Sequence, residues 1–225
     1  MILESRSYGG KLFRPTPVVF NDESSGVSLV ATPWGTRESA RRTVEMISEL
    51  FTTLERDQEA TTPYQRLPSL SPVGNNLRTG ILMANEFVYG TFNKDEYRTG
   101  LEIFAGVRRG NEFTWSVVGM PHTILLRKGK PCFPLALTTD LAFDMSKEGE
   151  LPPLPGRFLG VDKSIDAQIM SLRTEPGDRL LLLSRSYLPP VLLTRKSDDM
   201  NIEETIRVCA QDHASMPAWV GLLSF

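Results

Sequence analysis

Apolar residues change their spacing along this chain, and each change marks a change of element. Gly26-Val-Ser-Leu-Val-Ala31 is a short apolar run rich in valine and reads as a strand. Pro33 and Gly35 close it. From Arg37 to about Asp57, Val44, Ile47, Leu50, Phe51 and Leu54 recur at helical spacing. Glu38, Arg41, Arg42, Glu45, Glu49 and Glu55 fill most other positions, so an amphipathic helix is predicted with Thr36 as its N-cap. Ala60 to Pro72, with prolines at 63, 68 and 72, reads as a loop. A second helix follows on Leu77, Ile81, Ala84, Val88 and Phe92, although Gly80 and Gly90 inside it each cost about 1 kcal/mol relative to alanine.

The period then shortens. Leu101 to Arg108, Phe113 to Val118, Thr123 to Arg127 and Cys132 to Leu137 are rich in β-branched or aromatic residues. Arg109-Gly110-Asn111 and Lys128-Gly129-Lys130 separate consecutive segments at hairpin length. Met145 to Gly156 is a polar, Pro-rich connection. Strands at Ala167 to Leu172 and Arg179 to Ser184 flank Glu175-Pro-Gly-Asp178, where Asp178 reads as a turn residue. Asn201, with Glu204 three residues on, starts a last helix, and Trp219 to Phe225 is a closing strand. Grouped helices beside a strand meander predict an α+β sandwich rather than a doubly wound parallel sheet.

Composition adds boundaries. The 225 residues are 40% hydrophobic and 23% charged, which suits one domain over residues 1–225. A net charge of −2 argues against a general nucleic-acid or anionic-membrane footprint. The longest apolar runs, such as Leu180 to Leu183, are strand-length, and Met1 to Arg14 has no signal-like apolar stretch. The expectation is a cytoplasmic protein with no nucleic-acid or membrane partner. Cys132 and Cys209, two lone thiols, fit a reducing compartment. His122 and His213, without a cysteine cluster, do not make a zinc site.

Several strings share an order with one family. Pro176-Gly-Asp-Arg-Leu-Leu-Leu-Leu-Ser184, Phe113-Thr-Trp-Ser-Val-Val-Gly119, Thr123-Ile-Leu-Leu-Arg-Lys-Gly129, Leu137-Thr-Thr-Asp140, Met83-Ala-Asn85 and Phe158-Leu-Gly160 resemble successive segments of the metal-dependent type-2C (PPM) Ser/Thr protein phosphatases. The resemblance spans roughly residues 26–225, with 1–25 matched loosely. It implies a four-layer αββα sandwich of antiparallel sheets flanked by helices. In that family two Mg²⁺ or Mn²⁺ ions, held by aspartates, activate the attacking water.

The resemblance also shows what this sequence lacks. Asp-Gly-x-Gly-Gly is matched by Thr32-Pro33-Trp34-Gly35-Thr36, so Thr32 stands for the aspartate. Ser-Asp-Gly is matched by Ser184-Arg185-Ser186, and the C-terminal Asp-Asn by Met216-Pro217. Gly-Asp-Ser-Arg becomes Gly119-Met120-Pro121-His122. Thr32, Arg185 and Met216 are thus former metal-ligand positions, and Pro33, Trp34, Met120, His122 and Ser186 are altered cleft positions. No catalytic residue, metal or cofactor is expected. Arg14 matches the family's phosphate-binding arginine, making Arg14 and Arg185 a candidate anion-binding pair.

Three readings stay open: a pseudophosphatase acting through a protein partner, a divergent metal-dependent phosphatase using other acids such as Asp140 and Asp144, and an anion or phospholigand module. For Trp34, Met120, Arg185 and Met216, drift after loss of catalysis and a new binding role are equally open. His122 reads as a hydrogen-bonded strand histidine or as a cleft residue.

Overall fold

A hairpin with a two-residue loop, Gly110-Asn111, anchors one of two compact units, formed by residues 17–118 and 158–173. Gly110 has φ +61°, the conformation that such a tight loop requires at its first position. The hairpin joins β4 (Gly100–Arg109) to β5 (Glu112–Val118). With β2 (Val18–Asp22), β3 (Val27–Trp34) and β8 (Met170–Arg173) they form an antiparallel sheet in the order β2-β3-β4-β5-β8. The computed structural model describes residues 1–57, 62–138, 140–145 and 151–225, with Phe143 and Asp144 described through their backbone alone.

Two long helices belong to this unit. α1 (Arg37–Arg56) buries Val44, Ile47, Phe51 and Leu54 of the stripe its spacing predicted, with Ala40 added at its start, while Leu50 is only half-buried. Thr36 is the N-cap position, but its side chain makes no capping bond. α2 (Pro72–Phe92) starts earlier than its apolar spacing suggested, because Ser71 caps it by accepting from the Gly74 N–H at 3.1 Å and Pro72 opens it. A Cβ at Gly80 would lie 3.5 Å from Ile47, so this glycine sits where α2 approaches α1 closely. Both helices and β3–β5 share a core that includes Leu29, Ile47, Phe51, Ile81, Val88 and Ile103.

Buried asparagines tie down the loop before β8. Asn85 accepts from the Gly160 N–H at 2.7 Å, and Asn93 donates to the Gly160 carbonyl at 2.6 Å. Gly160 has φ +87°, and a Cβ there would come within 2.1 Å of Val88.

The other unit comprises residues 1–16, 119–157 and 174–225. Its antiparallel sheet runs β1-β10-β9-β6-β7, from β1 (Ile2–Tyr8), β10 (Ala218–Ser224), β9 (Arg179–Ser184), β6 (His122–Leu126) and β7 (Phe133–Ala136). Short helices α3 (Leu141–Met145) and α4 (Pro190–Thr194) and the longer α5 (Ile202–Asp212) complete it. α4 occupies the connector from Leu188 to Ser197. Asn201 caps α5 by accepting from the Glu204 N–H at 2.9 Å, while the Glu204 carboxylate turns to Arg207. Val208 and Cys209 of α5 pack on Ile124, Leu181, Leu183, Val220 and Leu222. Cys132 and Cys209 are both buried free thiols.

The protein is therefore α+β, with two five-stranded antiparallel sheets and flanking helices. β1 and β2 lie in the N-terminal segment that the sequence matched only loosely.

Candidate functional site

Leu180 to Leu183 are buried aliphatics in β9, and the strand delivers Ser184, Arg185 and Ser186 to its end. Arg185 is fully buried (0% exposed). Its guanidinium donates to Asp212 Oδ2 at 3.0 Å, to the Cys209 carbonyl at 3.0 Å and to the His213 carbonyl at 3.4 Å. The last two are carbonyls at the C-terminal end of α5, where a cation also meets the favourable end of the helix dipole. The guanidinium lies 4.7 Å from the Tyr187 ring centroid, and the Tyr187 hydroxyl donates to the same Asp212 oxygen. Burial and the Asp212 contact push the Tyr187 pKa up to about 12. Arg185 thus closes the segment after β9 onto α5.

His122 stands beside this arrangement at the start of β6. Thr138 N–H donates to His122 Nδ1 at 3.2 Å, so the ring proton resides on Nε2 and is donated to the Arg185 carbonyl at 3.1 Å. Burial pushes this imidazole's pKa down to about 4, against the raising effect of the Arg185 carbonyl; nearby Arg14 also lowers it, while Asp140 raises it. Thr138 Oγ1 reaches Met120 Sδ at 2.7 Å. Met216 is buried, and its N–H joins Arg185 on the His213 carbonyl, at 3.2 Å. Arg14 lines a small cavity of about 90 Å³ with Tyr8, Pro217 and Trp219. Among the expected positions, Met120, His122, Arg185 and Met216 are therefore linked through Thr138 and His213, and Ser186 lies in the same unit next to Arg185 in the chain.

Thr32, Pro33 and Trp34 belong to the other unit, at the end of β3. β2 pairs only as far as Ala31, so among the described residues β3 has a strand partner on one flank from Thr32 onward, where a strand admits proline. Across the ladder Thr32 faces Glu102 of β4. Glu102 is fully buried (0% exposed) and accepts from the Trp34 indole N–H at 2.9 Å. The Trp34 ring meets Phe158 edge-on at 6.2 Å.

The sequence reading missed Glu102, Asp212, Tyr187 and Thr138. Glu102 carried a signal, a single charge inside the apolar run Leu101 to Ala105. Thr138 lay inside the quoted string Leu137-Thr-Thr-Asp140 without a role of its own, and Asp212 and Tyr187 had no signal, because these roles arise only when the segment after β9 meets α5 and β6 meets the segment after β7.

Mg²⁺ and Mn²⁺ are hard ions that need several oxygen donors, mainly carboxylates. The positions the resemblance assigns to them hold a buried hydroxyl, a permanently charged guanidinium and a thioether. A guanidinium repels a dication, and His122 has both ring nitrogens engaged, so this donor set does not fit the metals. Asp140 uses Oδ1 to accept from Ala142 and Leu154 N–H groups, at 2.9 and 3.0 Å. Its suggested companion, the Asp144 side chain, lies outside the described residues. Among the described residues, no three His, Cys, Asp or Glu side chains are grouped to hold an ion. Nor is any helix among them long and apolar enough to cross a membrane.

No protein-family model matches the sequence, and no curated protein matches it. Solved structures do. A PPM Ser-Thr phosphatase of Mycobacterium smegmatis, MsPP, in complex with cacodylate, superposes with a TM-score of 0.68 at 15% identity, covering 99% of this chain and 97% of its own. The chain has the PPM phosphatase fold. PppA, a key regulatory component of T6SS in Pseudomonas aeruginosa, gives 0.64 at 16% identity over 100% and 97% of the two chains. The Mycobacterium tuberculosis phosphatase PstP gives 0.62 at 14% identity over 100% and 99%. At these identities the likeness carries the fold and leaves the chemistry to the residues.

Proposed function

We propose that this chain is a non-catalytic member of the PPM fold, a pseudophosphatase that works through contact with a protein partner in the cytoplasm. The observation that carries this reading is Arg185. At a position where the resemblance expects a metal-binding aspartate, a buried cation is held by Asp212 and the carbonyls of α5. Its replacement of an acid reverses the charge that a dication would meet. Thr32 and Met216 remove further oxygen anions at two other expected positions.

The test is turnover of an aryl phosphate and of phosphopeptides by purified protein with Mn²⁺. No metal-dependent release of phosphate is expected. Metal-dependent turnover that disappears in Thr32→Ala or Arg185→Ala would sink the proposal.

One observation favours a second reading, a divergent metal-dependent phosphatase. Glu102 places a buried carboxylate directly across the ladder from Thr32, one strand away from the lost aspartate. Calorimetric titration with Mn²⁺ separates the two. Stoichiometric binding that is lost in a folded Glu102→Gln variant supports the second reading; no heat supports the first. For an anion module the geometry is less favourable, because Arg185 already donates to Asp212 and two carbonyls.

A further inference from the structure

We propose that β1 is the pairing edge of a homodimer in which two copies of this strand run antiparallel about a two-fold axis through Ser5. This does not rest on the reading of the phosphatase positions.

β1 is an outer strand of its sheet, with β10 as its one partner there among the described residues. All seven residues from Ile2 to Tyr8 stay in register with β10. The strand is therefore regular, without the bulge or proline that commonly blunts an edge. Glu4, Ser5, Arg6 and Ser7 are exposed, so the free edge is open to another strand.

The sequence of that edge is self-complementary. When two copies pair antiparallel about Ser5, Glu4 of one chain lies opposite Arg6 of the other, and the pair occurs twice. The same register sets Ile2 opposite Tyr8 and Leu3 opposite Ser7. Moving the centre to Glu4 or to Arg6 puts like charges opposite each other, and so does in-register parallel pairing. Opposite-charge cross-strand pairs stabilise a sheet and like charges oppose it, so Glu4 and Arg6 select one register and one direction. A two-fold interface requires this kind of self-matching surface.

The faces agree. Glu4, Arg6 and Tyr8 project to the side that carries α5: Arg6 lies 3.6 Å from Glu203 of that helix, and Tyr8 packs against the core beneath it. Ile2 shares this face and is 52% exposed. In the paired strands it meets the partner's Tyr8 ring, which extends the apolar layer across the axis. The occupant is thus a second copy of this chain.

Sedimentation of the full chain over a concentration series tests this. A reversible monomer–dimer equilibrium is expected, weakened by salt. Glu4→Arg and Arg6→Glu should each weaken dimerisation by about tenfold or more, since two attractive pairs become repulsive. Mixing the two variants should restore association as a heterodimer, because each then supplies the charge the other lacks. The double exchange Glu4→Arg with Arg6→Glu should also restore it. Ser5→Cys should cross-link on oxidation, with the two positions facing each other on the axis, whereas Ser7→Cys should not. A chain that is monomeric throughout the series overturns the proposal. So does a dimer indifferent to the charge reversals, or one in which Ser7→Cys cross-links as fast as Ser5→Cys.

Discussion

His122 and Arg185 are joined through backbone rather than charge: the imidazole Nε2–H donates to the Arg185 carbonyl at 3.1 Å, while the Arg185 guanidinium turns to Asp212. One residue therefore serves two elements. Its carbonyl fixes β6 to the end of β9, and its side chain fixes the same segment to α5.

The first consequence is a pH dependence of stability. Burial lowers the His122 pKa to about 4 from 6.5. The unfolded chain takes up this proton near pH 6.5, and the folded protein resists until about pH 4. Stability from the neutral ring is therefore complete above the upper value and lost as pH falls through the interval. The loss is on the order of 3 kcal/mol. Denaturant midpoints measured between these limits should fall, and His122→Gln should flatten that slope.

Arg185→Ala should destabilise strongly, by roughly 3 kcal/mol, since it strips Asp212 and the α5 carbonyls of their shared donor. Arg185→Lys should recover only part of this, because an ammonium holds its donors on one nitrogen, whereas Arg185 reaches Asp212 through Nη1 and the two carbonyls through Nη2. Thermal unfolding of both variants measures the difference.

Asp178 ends a turn and is almost wholly buried. It accepts from the Glu175 N–H at 2.8 Å and from Arg127 at 2.7 and 3.0 Å. Burial works to raise its pKa, but Arg127 and the Glu175 N–H outweigh it and hold the carboxyl below 3.8. Its contribution is present above the unfolded value and disappears as pH falls through the folded one. Asp178→Ala should cost about 2 kcal/mol at neutral pH, seen as a lower denaturant midpoint.

Gly160→Ala should cost more than about 2 kcal/mol, because a positive φ and a clash with Val88 coincide. Asn93→Ala should weaken the same loop from the other side. Faster amide exchange at Thr99 and Gly160 would register the loss locally.

Much of the fold was legible where burial falls on one side of an element. The α1 stripe carries its period in its own residues, whereas β4 and β6 are buried along almost their whole length and were legible from their β-branched and aromatic content and their hairpin-length spacers. β1 was not legible, since Ile-Leu-Glu-Ser-Arg-Ser-Tyr has no alternation of its own and becomes a strand by pairing with β10. β3 outran its predicted end because Pro33 lies beyond the ladder with β2, where among the described residues only β4 pairs with it. The former metal positions were identifiable from neighbouring strings. What Arg185 does with its charge was not, because Asp212 and Tyr187 come to it from α5 and from beyond the next residue.

The ladder between β1 and β10 joins the first strand to the last among the described residues. During synthesis β1 waits for the chain as far as Ala218 before its partner appears. The unit of residues 17–118 and 158–173 has all five strands of its sheet and both helices in hand by then. Closing so distant a pair is slow, and an unsatisfied strand is exposed to wrong partners in the interval. The charges of Glu4 and Arg6 give that waiting strand solubility until β10 arrives.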